Sequence, residues 1–198
     1  MNFLAHLYLS GNNPEVMVGN FIGDFVKGRD LTPVYGIAIA NGIVLHRAID
    51  DFTDHHPIVK QSRSRLFPVY RHYSAVIVDI FYDHFLAANW DVYSKESLDD
   101  YAARAYQVLL NHETIVPPGV NQMLSYMIRG NWLVNYGSIE GIQKALTGMA
   151  RRATFESKMQ EATADLERSY DSFQSEFDQF FPELKKFCDK RLLTLTLQ

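Results

Sequence analysis

The stretch from Val76 to Ala87 constrains the fold more than any other part of the chain. Its composition is that of a helix with apolar side chains on nearly every side, yet it also carries Asp79, Asp83 and His84. A helix that is apolar all round has to be enclosed by other parts of the protein. The sequence therefore predicts a buried helix whose polar side chains need partners.

Asp79 and Asp83 are one helical turn apart, which places both carboxylates on the same face of this helix. Burying a lone carboxylate is costly unless a partner compensates for it. Two carboxylates beside His84 therefore need a metal ion, a buried Arg or Lys, or hydrogen bonds from neighbouring backbone groups. If the partner is a metal, this stretch is part of a functional site. If the partners are Arg, Lys or backbone groups, the stretch is part of a structural network. The stretch alone is compatible with both.

The remaining sequence predicts one all-α domain over residues 1–198, a length that can bury a full core. Helix boundaries follow from capping residues, prolines and a periodicity near 3.6 residues, and no convincing strand is present. The expected helices cover residues 14–27, 32–53, 57–67, 73–90, 97–112, 120–136, 138–151 and 154–189. The expected N-caps are Asn13, Thr32, Ser97 and Ser138. Breaks are expected at Pro68 and near Gly130, and a kink or a split is expected at Pro182.

The formal net charge of −4 gives no indication of a nucleic-acid partner. Positive charge is nevertheless concentrated in residues 55–78, which contain no Asp or Glu. This segment is either a solvated basic helix face or a docking surface for an acidic partner. Its cationic residues are Lys60, Arg63, Arg65 and Arg71, accompanied by His55, His56 and His72.

The cysteine content and the N-terminus predict a cytoplasmic protein without a membrane segment. Cys188 is the single cysteine, which excludes an intramolecular disulfide and a multi-thiolate metal site. The N-terminus is apolar, but it lacks a positively charged start and is interrupted by His6, so it does not resemble a signal peptide. No uncharged run approaches the roughly 20 residues of a membrane span.

Four stretches place carboxylates or imidazoles in apolar helical surroundings. They contain His6; Asp24; His46 with Asp50 and Asp54; and Asp79 with Asp83 and His84. Asp24 is predicted near the end of its helix, where the helix dipole disfavours an anion. Mixed imidazole and carboxylate ligands suit Mn²⁺, Mg²⁺, Fe or Zn and the metal-assisted hydrolysis of phosphoesters. Each residue alone has a simpler account, because a lone His is more often a satisfied core or surface side chain.

Six segments in order across residues 1 to about 152 resemble one known family. They are residues 1–7 (MNFLAHL), 19–28 (GNFIGDFVKG), 42–50 (GIVLHRAID), 79–86 (DIFYDHFL), 131–133 (NWL) and 148–152 (GMARR). Together they resemble the acyl carrier protein phosphodiesterase family, a divergent branch of the His-Asp metal-dependent phosphohydrolases. The chain contains no literal His-Asp dipeptide. The resemblance implies an all-α, manganese-dependent enzyme that removes 4′-phosphopantetheine from the serine of holo acyl carrier protein.

The resemblance also implies a metal and catalytic site. Its expected metal ligands are His46, Asp50, Asp83 and Asp24, holding Mn²⁺ or alternatively Mg²⁺ or Fe²⁺. The serine leaving group needs a general acid, for which His84 is the first candidate and His6 the second. Arg47 could stabilise charge on the diester, and Asp79 could orient a ligand or a water molecule.

The acidic substrate protein is expected to dock on Lys60, Arg63, Arg65 and Arg71. Two alternatives stay open at this point. The first is a phosphodiesterase of the same family that acts on another diester. The second is a non-enzymatic helical binding module whose His and Asp residues form a buried polar network.

Overall fold

The computed structural model describes residues 1–195, and within them every regular element is a helix. The all-α prediction is therefore confirmed, while residues 196–198 of the expected domain lie outside the described residues. The α-helices are α1 (Phe3–Tyr8), α2 (Pro14–Ile22), α3 (Thr32–His55), α4 (Pro57–Tyr70), α5 (Ser74–Ala88), α6 (Trp90–Tyr93), α7 (Leu98–Asn111), α8 (Pro118–Arg129), α9 (Trp132–Asn135), α10 (Ile139–Arg152), α11 (Thr163–Arg168) and α12 (Tyr170–Leu195). Short 3₁₀ turns occupy Gly23–Phe25, Arg71–Tyr73 and Met159–Glu161.

Three predicted N-caps are confirmed by side-chain hydrogen bonds. The Asn13 side chain accepts hydrogen bonds from two backbone N–H groups in the first turn of α2. Ser97 and Ser138 do the same for one N–H each at the starts of α7 and α10. Such caps satisfy donors that have no partner inside the helix, and they are readable from local sequence alone.

Two predictions near the start of the chain were wrong. The second helix ends at Ile22 rather than Lys27, so Asp24 lies in the 3₁₀ turn that follows and not in the last turn of an α-helix. Thr32 does not cap α3, which begins with Thr32 itself. This helix also kinks at Gly36, where φ is +75°.

The predicted break at Pro68 and the predicted split at Pro182 were wrong as well. α4 continues through Pro68 to Tyr70, which is buried and donates a hydrogen bond from its hydroxyl to Asp165 at 2.6 Å. α12 runs through Pro182 without interruption, and the break comes earlier, at Ser169. A proline weakens a helix by a few kcal/mol, and tertiary packing of the surrounding apolar side chains offsets that cost here.

α5 is the buried helix that the sequence predicted. It packs against α1, α4, α10 and α12, and nearly all of its side chains from Ile77 to Ala87 are buried. α12 supplies much of the material around it, because Phe173, Phe177, Phe180 and Phe181 are fully buried. Burying each such ring contributes roughly 1.5–3 kcal/mol. The last helix of the described chain therefore completes the core.

α2 and α3 approach each other until their backbones touch, at Gly19 and Gly42. A Cβ on Gly19 would lie 2.0 Å from the carbonyl oxygen of Ile39, and one on Gly42 would lie 2.2 Å from that of Val16. Neither position has room for a side chain. The sequence predicted a small-residue face on α3, and this crossing is where that face is used.

An ion pair between the partly exposed Arg65 and the buried Glu176 joins α4 to α12. The guanidinium of Arg65 donates to both carboxylate oxygens of Glu176, at 2.6 and 2.9 Å, and lies over the ring of Phe173. Ser62 and Gln61 also donate to Glu176, whose side chain is only 5% exposed. Burial alone would raise the pKa of Glu176, but Arg65 and Ser62 offset burial and hold the pKa below its ordinary value.

We expect Arg65→Ala to lower the free energy of unfolding by about 2–3 kcal/mol, because it leaves the buried Glu176 carboxylate without its cation. Arg63→Ala is the matched control, since Arg63 pairs with the exposed Asp54 and exposed pairs contribute about 0–1 kcal/mol. Urea unfolding at neutral pH measures both variants. The pKa of Glu176 is depressed, so the contribution of Arg65 is present above pH 4.5 and is lost as the pH falls. Equal losses in the two variants would contradict this role.

Candidate metal site

Two histidines and one aspartate from separate parts of the chain meet at one point. His6 comes from α1, while His46 and Asp50 lie one turn apart on α3. One ligand atom from each of the three lies within 4.8 Å of the others. The Nε2 atoms of His6 and His46 are 3.2 and 3.1 Å from the two oxygens of Asp50, and the imidazole rings stack with centroids 4.1 Å apart.

The imidazole of His46 packs closely against backbone atoms. The ring of His46 lies directly against Gly23, where a Cβ would come within 2.2 Å of it. Both histidines are buried, with exposures of 3% for His6 and 4% for His46. The site therefore depends on glycine at position 23, in the 3₁₀ turn that also carries Asp24.

Asn20 sets the tautomer of both histidines. Its main-chain carbonyl oxygen is 2.7 Å from Nδ1 of His46, and since a carbonyl only accepts, this nitrogen carries the proton. The Asn20 side-chain nitrogen donates to the carbonyl oxygen of His6 and to Ser10, so its Oδ1 is the atom that faces Nδ1 of His6 at 2.8 Å. His6 therefore also carries its proton on Nδ1. In their neutral forms both rings direct the Nε2 lone pair toward Asp50.

The Nε2 lone pairs of the two imidazoles repel the Asp50 carboxylate that they face. The space between these three side chains therefore needs either protons on the imidazoles or a cation. Burial alone would lower the pKa of His46, but Asp24 and Asp50 more than offset burial and raise the pKa to about 9. The pKa of His6 is lowered, chiefly by burial. Burial alone would raise the pKa of Asp50, but its ion-pair contacts with His46 and His6 hold it well below its ordinary range.

The donor set fits a divalent metal. Nε2 of His46 is buried and has no hydrogen-bond partner within residues 1–195, although two carboxylate oxygens lie at 3.1 Å. Two imidazole nitrogens with fixed lone pairs and a carboxylate are ligands that divalent transition metals accept. Hydrogen bonds from the opposite ring nitrogen to a carbonyl are typical of metal-ligating histidines.

Asp24 and Asp79 flank this group on the side of a larger cavity. Asp24 is 69% exposed and lies 3.1 Å from Nε2 of His46. Asp79 lies 3.0 Å from the N-terminal amine of Met1, which is also 3.9 Å from Asp50. Burial alone would lower the pKa of the Met1 amine, but the carboxylates of Asp79 and Asp50 raise it above its ordinary value.

Asp83 is not brought to the His6, His46 and Asp50 group. Its fully buried carboxylate accepts backbone N–H bonds from Leu4 at 2.7 Å and from Asn2 and Ala5 at 3.3 Å, at the N-terminus of α1. Burial raises its pKa to about 7, while these donors favour the ionised form. These contacts make Asp83 an anchor of the helix that carries His6, and its expected ligand role stays a prediction.

His84 and Arg47 also have structural partners. Nδ1 of His84 donates to the carbonyl oxygen of Tyr136 at 2.8 Å, and Nε2 lies 3.0 Å from the hydroxyl of Tyr170. Burial lowers the pKa of His84, which favours the neutral ring as an acceptor for that hydroxyl. The guanidinium of Arg47 donates to the carbonyl oxygens of Val26 and Gly28 and so fixes the segment that follows Asp24.

Some cationic side chains of the acid-free segment 55–78 have acidic partners elsewhere in the chain. Arg65 is bound to Glu176, and Arg63 is bound to Asp54. Lys60 and Arg71 have no acidic partner within residues 1–195, and they line an open cavity of about 470 Å³ together with His72. Two of the four predicted docking cations are thus occupied by carboxylates from outside the segment.

Asn20 and the Met1 amine were not predicted from the sequence. Asn20 is the polar residue on an otherwise apolar part of α2, and an amide in such a position is a signal for a specific hydrogen-bonding role. The amine carries no sequence signal of its own, because only the fold of α1 against α5 brings it to Asp79.

In the part of the chain that the structure describes, no helix is long and apolar enough to cross a membrane.

The helices and the His, His, Asp group define an all-α protein with a site suited to a divalent metal. The model of the acyl carrier protein phosphodiesterase family matches residues 1–184. The chain belongs to this family, and the resemblance found in its sequence is confirmed.

Relatives of similar length support this membership. An acyl carrier protein phosphodiesterase of Photorhabdus laumondii is 33% identical over 192 residues, which cover 96% of each chain. One of Serratia proteamaculans is 32% identical over 194 residues, which cover 97% of this chain and 100% of the relative. No solved structure shows a significant match to the chain.

We expect Asn20→Ala to weaken Mn²⁺ binding by about 10- to 100-fold, as loss of a partner that orients a ligand does elsewhere. The physical reason is that His6 loses the acceptor that keeps its proton on Nδ1. Competition with a metallochromic chelator measures the affinity. Asn41→Ala is the matched control, because that amide bonds a carbonyl at the far end of α12. Equal affinities of the two variants would contradict the role of Asn20.

We expect Asp83→Asn to lower the free energy of unfolding of the metal-free protein by about 1–3 kcal/mol, because an amide leaves buried N–H donors without an acceptor. Thermal or urea unfolding in the presence of a chelator measures this loss. Asp24→Asn is the control, since its carboxylate is exposed and should affect metal-free stability little. Unchanged stability together with lost metal binding would instead make Asp83 a ligand.

Proposed function

We propose that this chain is a divalent-metal-dependent hydrolase that removes 4′-phosphopantetheine from the serine of holo acyl carrier protein. One observation of the site supports this most: ligand atoms of His6, His46 and Asp50 lie within 4.8 Å of one another, and the buried Nε2 of His46 has no hydrogen-bond partner among residues 1–195. The names of the family and of its relatives indicate the diester and the protein that carries it. We further propose that residues 1–198 act as one domain in the cytoplasm.

The residues proposed to hold the metal are His6, His46 and Asp50, with Asp24 beside them on the exposed side. This set keeps three of the four ligands predicted from the sequence and replaces Asp83 by His6. Mn²⁺ is the proposed ion, because mixed imidazole and carboxylate ligands suit it, with Mg²⁺ or Fe²⁺ as alternatives. When bound, such a cation supplies Lewis acidity toward a phosphoryl oxygen and lowers the pKa of water.

The protein groups around this point have separate tasks. Asn20 keeps both imidazoles in the ligating tautomer. Arg152 lines the cavity of about 650 Å³ beside the site, where its guanidinium would favour a phosphodiester anion. In this proposal His84 supports the fold through Tyr136 and Tyr170 and is not the general acid.

Acyl carrier protein is the proposed partner, with Lys60 and Arg71 as the free cations of the predicted docking segment. Exposed charges of this kind affect the rate and orientation of encounter more than the chemistry. A basic local surface also lets a protein of net charge −4 attract an acidic one.

The direct test is a turnover assay with holo acyl carrier protein and Mn²⁺, in which mass spectrometry detects apo protein and free 4′-phosphopantetheine. His6→Gln, His46→Gln and Asp50→Asn should each lower kcat/KM by more than about 100-fold, the upper end of the loss seen for partners outside the ligand sphere. Chelation should abolish turnover, and Mn²⁺ should restore it. Arg63→Ala is the control for surface changes.

Two outcomes would contradict the proposal in different ways. Full activity after complete metal removal would exclude the metal-dependent mechanism. Hydrolysis of a small diester such as bis(p-nitrophenyl) phosphate without any action on holo acyl carrier protein would mean that the chain acts on another diester.

A further inference from the structure

A cleft of two connected parts leads away from the metal site. The first part, of about 650 Å³, begins at Met1, Asp24 and Asp79 and extends to Trp132, Met149 and Arg152. The second part, of about 210 Å³, is lined by the same last three residues and continues between α9 and α10. The shared residues place the two cavities side by side, between the His and Asp site and the groove between these helices.

The wall of this cleft is apolar and partly uncovered. Phe25, Val76 and Tyr126 line its first part, and they are 43%, 38% and 52% exposed. Ala145, Gly148 and Met149 line the second part. Large apolar side chains left open beside a polar site are typical of a surface that binds an apolar or neutral portion of a ligand.

The charged groups of the cleft are not distributed evenly. Asp24 and Asp79 lie at the end next to the metal site, while Arg152 lies where the two parts join and Lys144 lines the inner part. Within residues 1–195, neither Arg152 nor Lys144 forms an ion pair or a side-chain hydrogen bond. A guanidinium that lines this cleft and has no acidic partner is suited to a phosphate oxygen.

We propose that this cleft binds the pantetheine arm of the substrate. The phosphodiester would lie at the end formed by Met1, Asp24 and Asp79, with Arg152 toward its phosphate, and the thiol end would lie between α9 and α10. This assignment rests on the proposed function, which names 4′-phosphopantetheine as the released group. Pantetheine is a neutral, linear chain with a gem-dimethyl group and two amides, and it therefore matches a long apolar cleft that begins beside the metal site.

Gly148 gives a way to close the inner part of the cleft. It lies in α10, and a Cβ built on it meets no atom within 4 Å. A larger side chain at this position would therefore point into free space of the cavity instead of into the core. Gly141, one of the other glycines of this wall, is unsuitable because its Cβ would lie 1.8 Å from the carbonyl oxygen of Asn135.

The test compares Gly148→Phe with Gly148→Ala, which adds only a methyl group at the same backbone position. Titration with D-pantetheine, followed by tryptophan fluorescence, measures binding, because Trp132 lines both parts of the cleft. We expect Gly148→Phe to weaken pantetheine binding and to raise KM for holo acyl carrier protein, each by at least tenfold. Gly148→Ala should change both by less than twofold.

Two further variants keep the outcome clear if Gly148→Phe folds poorly. Arg152→Ala should weaken binding of 4′-phosphopantetheine at least tenfold and leave binding of pantetheine itself nearly unchanged, because only the phosphate is expected to contact the guanidinium. Val92→Phe adds the same ring on an exposed side chain of α6 that lines neither part of the cleft and should change neither affinity. Circular dichroism and the melting temperature verify that each variant is folded.

The possible results distinguish failure of the cleft assignment from failure of the proposed function. Equal pantetheine affinities of folded Gly148→Phe and Gly148→Ala would overturn the cleft assignment, even if the enzyme releases 4′-phosphopantetheine. Pantetheine binding that Gly148→Phe removes, in a protein that does not act on holo acyl carrier protein, would support the cleft and contradict the proposed function. Absence of pantetheine binding to the unsubstituted protein at millimolar concentration would also overturn the assignment.

Discussion

The contact between Gly19 and Gly42 is the constraint on which the site depends. A Cβ at Gly19 would lie 2.0 Å from a carbonyl oxygen of α3, so any other residue would force α2 and α3 apart. The close crossing places the carbonyl oxygen of Asn20 against His46 and the amide of Asn20 against His6. Without that contact the two imidazoles would lose their common tautomer and their stacked arrangement, and the lone pairs would no longer converge on Asp50.

Burial of charge explains why the polar groups of α5 have different roles. Asp83 is fully enclosed, and its charge is compensated by the N–H groups at the start of α1, where the helix dipole favours an anion. This bond holds the helix that carries His6. Asp79, one turn earlier, reaches the cavity and the Met1 amine. Asp83 thus positions the site by holding α1 in place, whereas Asp79 lies at the opening of the site.

Local features of the sequence predicted local structure well. The caps at Asn13, Ser97 and Ser138 and the enclosed α5 are decided by neighbours in the chain or by composition, so they were predicted correctly. Pro68 and Pro182 were mispredicted because packing against distant helices outweighs the local cost of a proline. The basic segment 55–78 looked free because Glu176, which neutralises Arg65, comes from α12.

The sequence by itself determined the helical class, the buried central helix, the pairing of His46 with Asp50 on one helix face and the family of the chain. These properties depend on spacing along one helix or on short motifs. The tertiary structure decided which of the candidate residues meet. His6 joins His46 through Asn20, whereas Asp83, His84 and Arg47 are bound by backbone groups and tyrosines. The physical reason is that contacts between distant residues are set by where helices cross, and that crossing follows from the packing of the whole core.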